Sequence, residues 1–205
     1  MPATAGSMTD TVLQRLFDAG GVATSRTNVW DMLSRCQQLV NAALDSMIIA
    51  LNFNTGPRQQ VFTLTEIAPD VMKVLRVRDQ HRDLSEIQLR ELKYLSPRWF
   101  GQSGPRWETF AKIGKTMLVV HPMKLSADSL TLVYTQILPR LGGDLDVCPL
   151  PDDQIPVLTK LTEAMLLLRQ RNFEPVKKII DDVVKDVKAM KFGGVGDGKP
   201  KDEAA

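Results

Sequence analysis

Apolar positions recur along this chain at helical spacing, then in alternation, then at helical spacing again. Asp10 to Ala19 places Val12, Leu13, Leu16 and Phe17 on one face and stops at Gly20-Gly21, which predicts a short helix. A longer helix is expected from an N-cap at Asn28. Its wide stripe comprises Val29, Trp30, Met32, Leu33, Cys36, Leu39, Val40, Ala43, Leu44, Met47 and Ile48. The helical region spans 10–51, and Asn52 to Pro57 reads as turn chemistry.

Residues 59–136 read as a β-rich insertion. Gln60–Thr65 alternates, and Val71–Arg78 alternates again after Pro69-Asp70. Ser85–Leu95 reads as a short amphipathic helix closed by Ser96-Pro97, with Ile87, Leu89, Leu92 and Leu95 as anchors. Strands are expected at Thr109–Ile113, Met117–His121 and Ser129–Gln136, the first two joined by a turn at Gly114-Lys115. Leu141–Pro151 reads as loop. Asp152 or Asp153 then caps a helix to about Arg171, with Pro156 tolerated in its first turn. A last helix starts near Glu174-Pro175, so helices fill 152–192. Residues 193–205 read as a flexible polar tail and residues 1–8 as a disordered leader.

The fold class expected is α+β: a helical bundle from both chain ends with a β-rich antiparallel excursion inserted between them, all within one domain over 9–192. With 205 residues, 43% apolar and 24% charged, the chain can bury a core without disulfides or metal. Cys36 and Cys148 stand far apart without ligand spacing and suit a reduced compartment. The N-terminus lacks the pattern of a signal peptide, and no apolar run approaches the roughly 20 residues of a membrane span. A soluble protein without membrane contact is expected.

Candidate chemistry is sparse. His81 and His121 have no cysteine or carboxylate at ligand spacing, and both read as ordinary loop or strand-end histidines. Gly114-Lys115-Thr116 lacks the glycine five positions earlier that a phosphate loop needs, since residue 109 is threonine. Asp152-Asp153 and Asp181-Asp182 diverge as helix neighbours. No catalytic residue, cofactor site or metal site is expected, and the chain is read as no enzyme.

Two features stand above this background. Between Lys73 and Lys115 ten basic residues face five acidic ones, about +5, which leaves about −3 for the rest of a chain of net +2. The cations include Lys73, Arg76, Arg78, Arg82, Arg106, Lys112 and Lys115, with Trp99, Phe100 and Trp107 among them. They form either a surface for nucleic acid or an acidic partner, or ordinary solvated faces of a β region. The second feature is the last helix. Phe173, Val176, Ile180, Val183, Val187 and Met190 follow at alternating spacings of three and four, a narrow heptad seam, and Phe192 is grouped with them as a candidate interface residue. Its partner is either helix 152–171, as an αα-hairpin, or a neighbouring subunit or portal ring; the hairpin is the preferred reading.

The order of these segments resembles the head–tail adaptor (connector) proteins of tailed bacteriophages, of the short-tailed type. The resemblance runs through Asn52-Phe53-Asn54-Thr55, the strand Pro69–Val77, the helix ending Leu95-Ser96-Pro97-Arg98-Trp99, the strand ending Val119-Val120-His121-Pro122, and Pro149-Leu150-Pro151-Asp152 before the terminal helices. It implies a structural virion protein, made in the host cytoplasm. Such a protein forms a dodecameric ring at the portal–tail junction and continues the DNA channel, touching passing DNA only transiently. Partners would be the portal protein, a tail or nozzle protein and the chain itself. Phe173–Phe192 and the tail from Gly193 would face the portal or a neighbouring subunit, and the basic residues from Lys73 to Lys115 the channel or nozzle. The competing expectation is a soluble nucleic-acid-binding module that uses the basic middle region.

Overall fold

A computed structural model describes residues 3–18, 24–80 and 82–192. The chain forms two compact units, one from Met1–Ser46 with Pro139–Ala205 and the other from Met47–Leu138. The expected tail at 193–205 and Met1-Pro2 of the expected leader lie outside the described residues, as does His81.

The first unit contains α1 (Ala5–Asp18) and α2 (Arg26–Leu44). It also holds a 3-10 turn (Asp152–Gln154), α5 (Ile155–Arg169) and α6 (Glu174–Phe192). α1 starts earlier than the sequence suggests: Ala5 and Met8, assigned to a leader, are fully buried, and the Ala5 amide donates to the Asp146 carbonyl at 2.7 Å. Ser25, rather than Asn28, caps α2; its side chain accepts from the Asn28 amide at 3.3 Å. α1 and α2 both pack on α5, and Val12, Leu16, Val29, Leu33, Cys36 and Val40 are buried in this unit together with Val157, Leu158, Ala164 and Leu167. Buried polar groups fix the 139–154 connection against α2. Gln37 donates to the Pro139 carbonyl, Ser34 exchanges hydrogen bonds with both backbone groups of Leu141, and Ser46 donates to Gln154 at 2.6 Å. Each such bond contributes about 1 kcal/mol, but leaving its buried partner unpaired costs more.

The second unit holds β1 (Ile48–Thr55), β2 (Val61–Thr63), α3 (Leu64–Ile67), β3 (Val71–Arg78) and β4 (Ser85–Glu86). α4 (Leu89–Leu95), β5 (Thr109–Ile113), β6 (Met117–His121) and β7 (Asp128–Gln136) complete it. One sheet has the order β1-β7-β3 and the other β2-β6-β5-β4. Between them lies a core of Phe62, Leu64, Val74, Val77, Trp107, Phe110, Leu118, Leu130, Leu132 and Tyr134. Phe53 packs edge-on against Phe62 with ring centroids 5.4 Å apart.

The α+β class holds, but the expected architecture does not. Helices are interspersed with the strands rather than confined to a bundle drawn from both chain ends, because α3 and α4 interrupt the β region. Nor is that region one antiparallel excursion: it makes two sheets, and β4 runs parallel to β5. Local causes are visible. The Leu64 amide makes the last bond of the β2–β6 ladder, to the Thr116 carbonyl at 2.7 Å, and one helical turn follows before the chain can extend the strand. A capping box between Gln88 and Glu91 starts α4. β1 is a further departure, since residues to 51 were expected in a helix. α2 ends when Asp45 turns left-handed at φ 50° and the Ser46 amide bonds back to the Asn41 carbonyl. Ile48–Thr55 then pairs with β7 along its whole length.

Candidate interaction surfaces

The heptad seam of α6 is built into the first unit. Arg171, at φ 60°, closes α5 with paired bonds from Arg171 N–H to Leu168 and from Asn172 N–H to Leu167, both 3.0 Å, and so turns the chain back. α5 and α6 pack together, and Lys160 Nζ meets Asp186 Oδ2 at 2.7 Å. Val176 and Val183 are buried, while Ile180, Val187 and Met190 are half-buried. This is the αα-hairpin. The residues expected at a portal or subunit interface therefore form no continuous free stripe. Phe173 alone projects, with 64% of its surface exposed, and the Phe192 side chain lies outside the described residues.

The basic residues of the second unit are more neutralised than their number suggests. Arg78 Nε lies 2.6 Å from Asp83 Oδ1 and Arg76 3.7 Å from the other oxygen. Lys112 pairs with Glu86 at 2.6 Å. Arg82 donates to the Trp107 carbonyl at 2.8 Å, and its own amide bonds Asp79. Lys73 is exposed on β3. Arg106 and Lys115 are exposed without an ion-pair partner among the described residues. These exposed pairs add only about 0–1 kcal/mol each to stability, but they cut the potential that a phosphate backbone would feel. Gly114, at φ 63°, turns the β5–β6 hairpin, which is no setting for a phosphate loop.

A third surface was not legible as a site. α4 is anchored by Leu92, 3% exposed, while Tyr94, Leu95 and Phe100 stand 86%, 72% and 69% exposed. Leu95 was expected to be an anchor and is not one. Arg90, Lys93 and Arg98 are exposed around these side chains, and Glu91 is occupied in capping, its Oε2 accepting from the Gln88 amide at 3.2 Å. An open depression of about 730 Å³ is lined by Leu95, Pro97, Arg98 and Phe100. A second of about 460 Å³ is lined by Ile87, Arg90, Tyr94 and Leu95.

The loop behind this surface is held firmly. Buried Gln60 donates to the Trp99 carbonyl at 3.1 Å and accepts from the Gly101 amide at 3.0 Å. Gly101 sits at φ 79°, where a side chain would be strained. Ser96 donates to Gln102 at 2.6 Å, and Gln102 also bonds His121 at 3.2 Å. Burial lowers the pKa of His121, opposed by the charge of Glu108.

No protein-family model and no curated protein matches this chain. Its own surfaces therefore carry the functional reading. Among the described residues no group of three His, Cys, Asp or Glu side chains is placed to hold a metal ion. No described helix is long and apolar enough to cross a membrane. Cys36 and Cys148 are free thiols, both buried. Burial pushes Cys36 up to about 11 and raises Cys148 as well, so neither is an activated nucleophile.

Proposed function

We propose that this chain is a structural virion protein that joins the portal vertex of a tailed-phage capsid to its tail, as a ring continuing the DNA channel. The observation that carries the reading furthest is the platform of Tyr94, Leu95 and Phe100 among Arg90, Lys93 and Arg98. Large apolar side chains at such exposure serve contact with another macromolecule, and the cations around them select an acidic one. A tail or nozzle protein is the partner assigned to this platform. The order of segments shared with the adaptor family, from Asn52-Phe53-Asn54-Thr55 to Pro149-Leu150-Pro151-Asp152, supports the same reading. Local neutralisation of Arg76, Arg78 and Lys112 favours it over a nucleic-acid-binding module, because a channel wall must release DNA rather than hold it. The portal side is assigned to Phe173 and the chain beyond α6, in place of the whole seam.

Sedimentation velocity with and without the portal ring of the same genome tests this. Co-sedimentation as one saturating complex supports the adaptor reading. If the two proteins ignore each other across a range of salt, the reading is wrong.

A further inference from the structure

Among the described residues the two sheets of Met47–Leu138 end in four outer strands, and three are guarded against pairing. β2 has three residues and β4 two. β3 shifts register at Val71/Lys73 and again at Val74/Arg76, and it exposes Lys73, Arg76 and Arg78. Short strands, bulges and cations are the usual protections of an edge. β1 has none of them. It runs eight residues in unbroken register with β7 and contains no charge, proline or glycine.

Among the described residues the backbone ladder of β1 runs to β7 and to no other strand. The Gln136 amide donates to the Met47 carbonyl at 3.0 Å, and with unbroken register the alternation aims Ile49, Leu51 and Phe53 at β7. The N–H and C=O groups of Ile48, Ala50, Asn52 and Asn54 then point away from the sheet. The side chains show the same incompleteness. Leu130, Leu132 and Tyr134 of β7 are buried, whereas their neighbours Phe53, Leu51 and Ile49 on the same core face are only half-buried.

We infer that β1 is the seat of a second copy of this chain, paired antiparallel about a twofold axis through Leu51. An uncharged strand offers no electrostatic feature to a charged partner, but it is complementary to itself. With Leu51 opposite Leu51, Ala50 meets Asn52 of the second copy and Ile48 meets Asn54, as hydrogen-bonded pairs made from the groups left open. Ile49 faces Phe53 across the seam, and the half-covered apolar rows close over one another. A slip of one residue would set the core face of one copy against the solvent face of the other. This goes beyond the adaptor reading and stands without it, since it concerns the free protein.

Sedimentation equilibrium and cysteine cross-linking test the pairing. The native chain is expected to move from one to two chain masses as concentration rises from micromolar to millimolar. At the twofold axis the Cα atoms of a non-hydrogen-bonded pair approach to about 4.5 Å, within disulfide reach. Leu51→Cys treated with diamide is therefore expected to give a covalent dimer. Phe53→Cys, which faces Ile49, is not, and the native thiols are buried. Ala50→Pro removes an outward N–H while sparing the β7 ladder, and it is expected to leave a folded monomer. Should it misfold, Ala50→Lys with Asn52→Lys sets like charges across the seam for the same purpose. A native chain of one mass throughout, equal cross-linking at positions 51 and 53, or a dimer untouched by the edge variants would each overturn the inference.

Discussion

The Tyr134 hydroxyl donates to Asp70 Oδ1 at 3.0 Å, while Gln136 holds the other oxygen of the same carboxylate at 2.6 Å. Tyr134 lies on the central strand β7, and Asp70 immediately precedes the edge strand β3. One buried phenol thus ties the entry of β3 to the middle of its sheet. Burial first, then the hydrogen bond to Asp70 and its charge, push the Tyr134 pKa up from 10 to about 12.

The folded pKa lies above the unfolded one, so the neutral phenol adds stability that is complete below pH 10 and is lost as pH rises towards 12. Thermal melts of the native chain should fall across this window by more than those of Tyr134→Phe, which has no phenol to ionise. At neutral pH the variant should be destabilised by about 1 kcal/mol, the net worth of one hydrogen bond. Parallel melting curves from pH 8 to 12 would show that the phenol is not the coupled group.

The two cysteines should be silent in the native protein. A disulfide reagent at pH 8 is expected to find no rapidly reacting thiol, and two on addition of denaturant, because Cys36 and Cys148 are buried with raised pKa values. A stoichiometric fast phase under native conditions would mean that the first unit opens readily around α2.

How much of this was readable from the residues alone depends on how local the cause is. β3, β5 and β6 have the expected bounds because alternation is bracketed there by Pro69-Asp70, by Gly114-Lys115 and by Pro122. β1 was hidden because Met47-Ile48 continues the helical stripe of α2, and the stop signal is an aspartate in the left-handed region rather than a glycine. In α4, seven residues are too few for periodicity to separate Leu92, which is buried, from Leu95, which is not. Leu95 consequently read as an anchor of an amphipathic helix alongside Leu92. The neutralisation of Arg76 and Arg78 by Asp83 depends on how β3 turns back, which charge counting along the chain does not register.

The α6 seam separates folding from assembly by position. Val183→Asp places a charge at a site 7% exposed inside the first unit and should cost about 3 kcal/mol or more, read as a lower thermal midpoint. Phe173→Ser should leave the midpoint nearly unchanged and, under the adaptor reading, weaken portal binding. If Val183→Asp melted like the native chain, the hairpin packing of α5 and α6 would be wrong.

The platform around α4 should dissociate binding from stability. Leu92→Ala removes a buried anchor and is expected to cost about 2–4 kcal/mol. Tyr94→Ser and Phe100→Ser remove exposed side chains and should shift stability by no more than about 0.5 kcal/mol. Their effect belongs to the partner: under the adaptor reading each weakens capture of the tail or nozzle protein by at least tenfold, about 1.4 kcal/mol. Arg98→Glu should act mainly on association, with a penalty that shrinks as salt is raised, because an exposed cation at the rim steers encounter more than it holds the complex. Titrating the tail protein against the four variants at low and high salt separates these contributions. If Tyr94→Ser and Phe100→Ser bound as tightly as the native chain while Leu92→Ala lost binding, the contact would lie elsewhere on the second unit and depend on α4 only through folding.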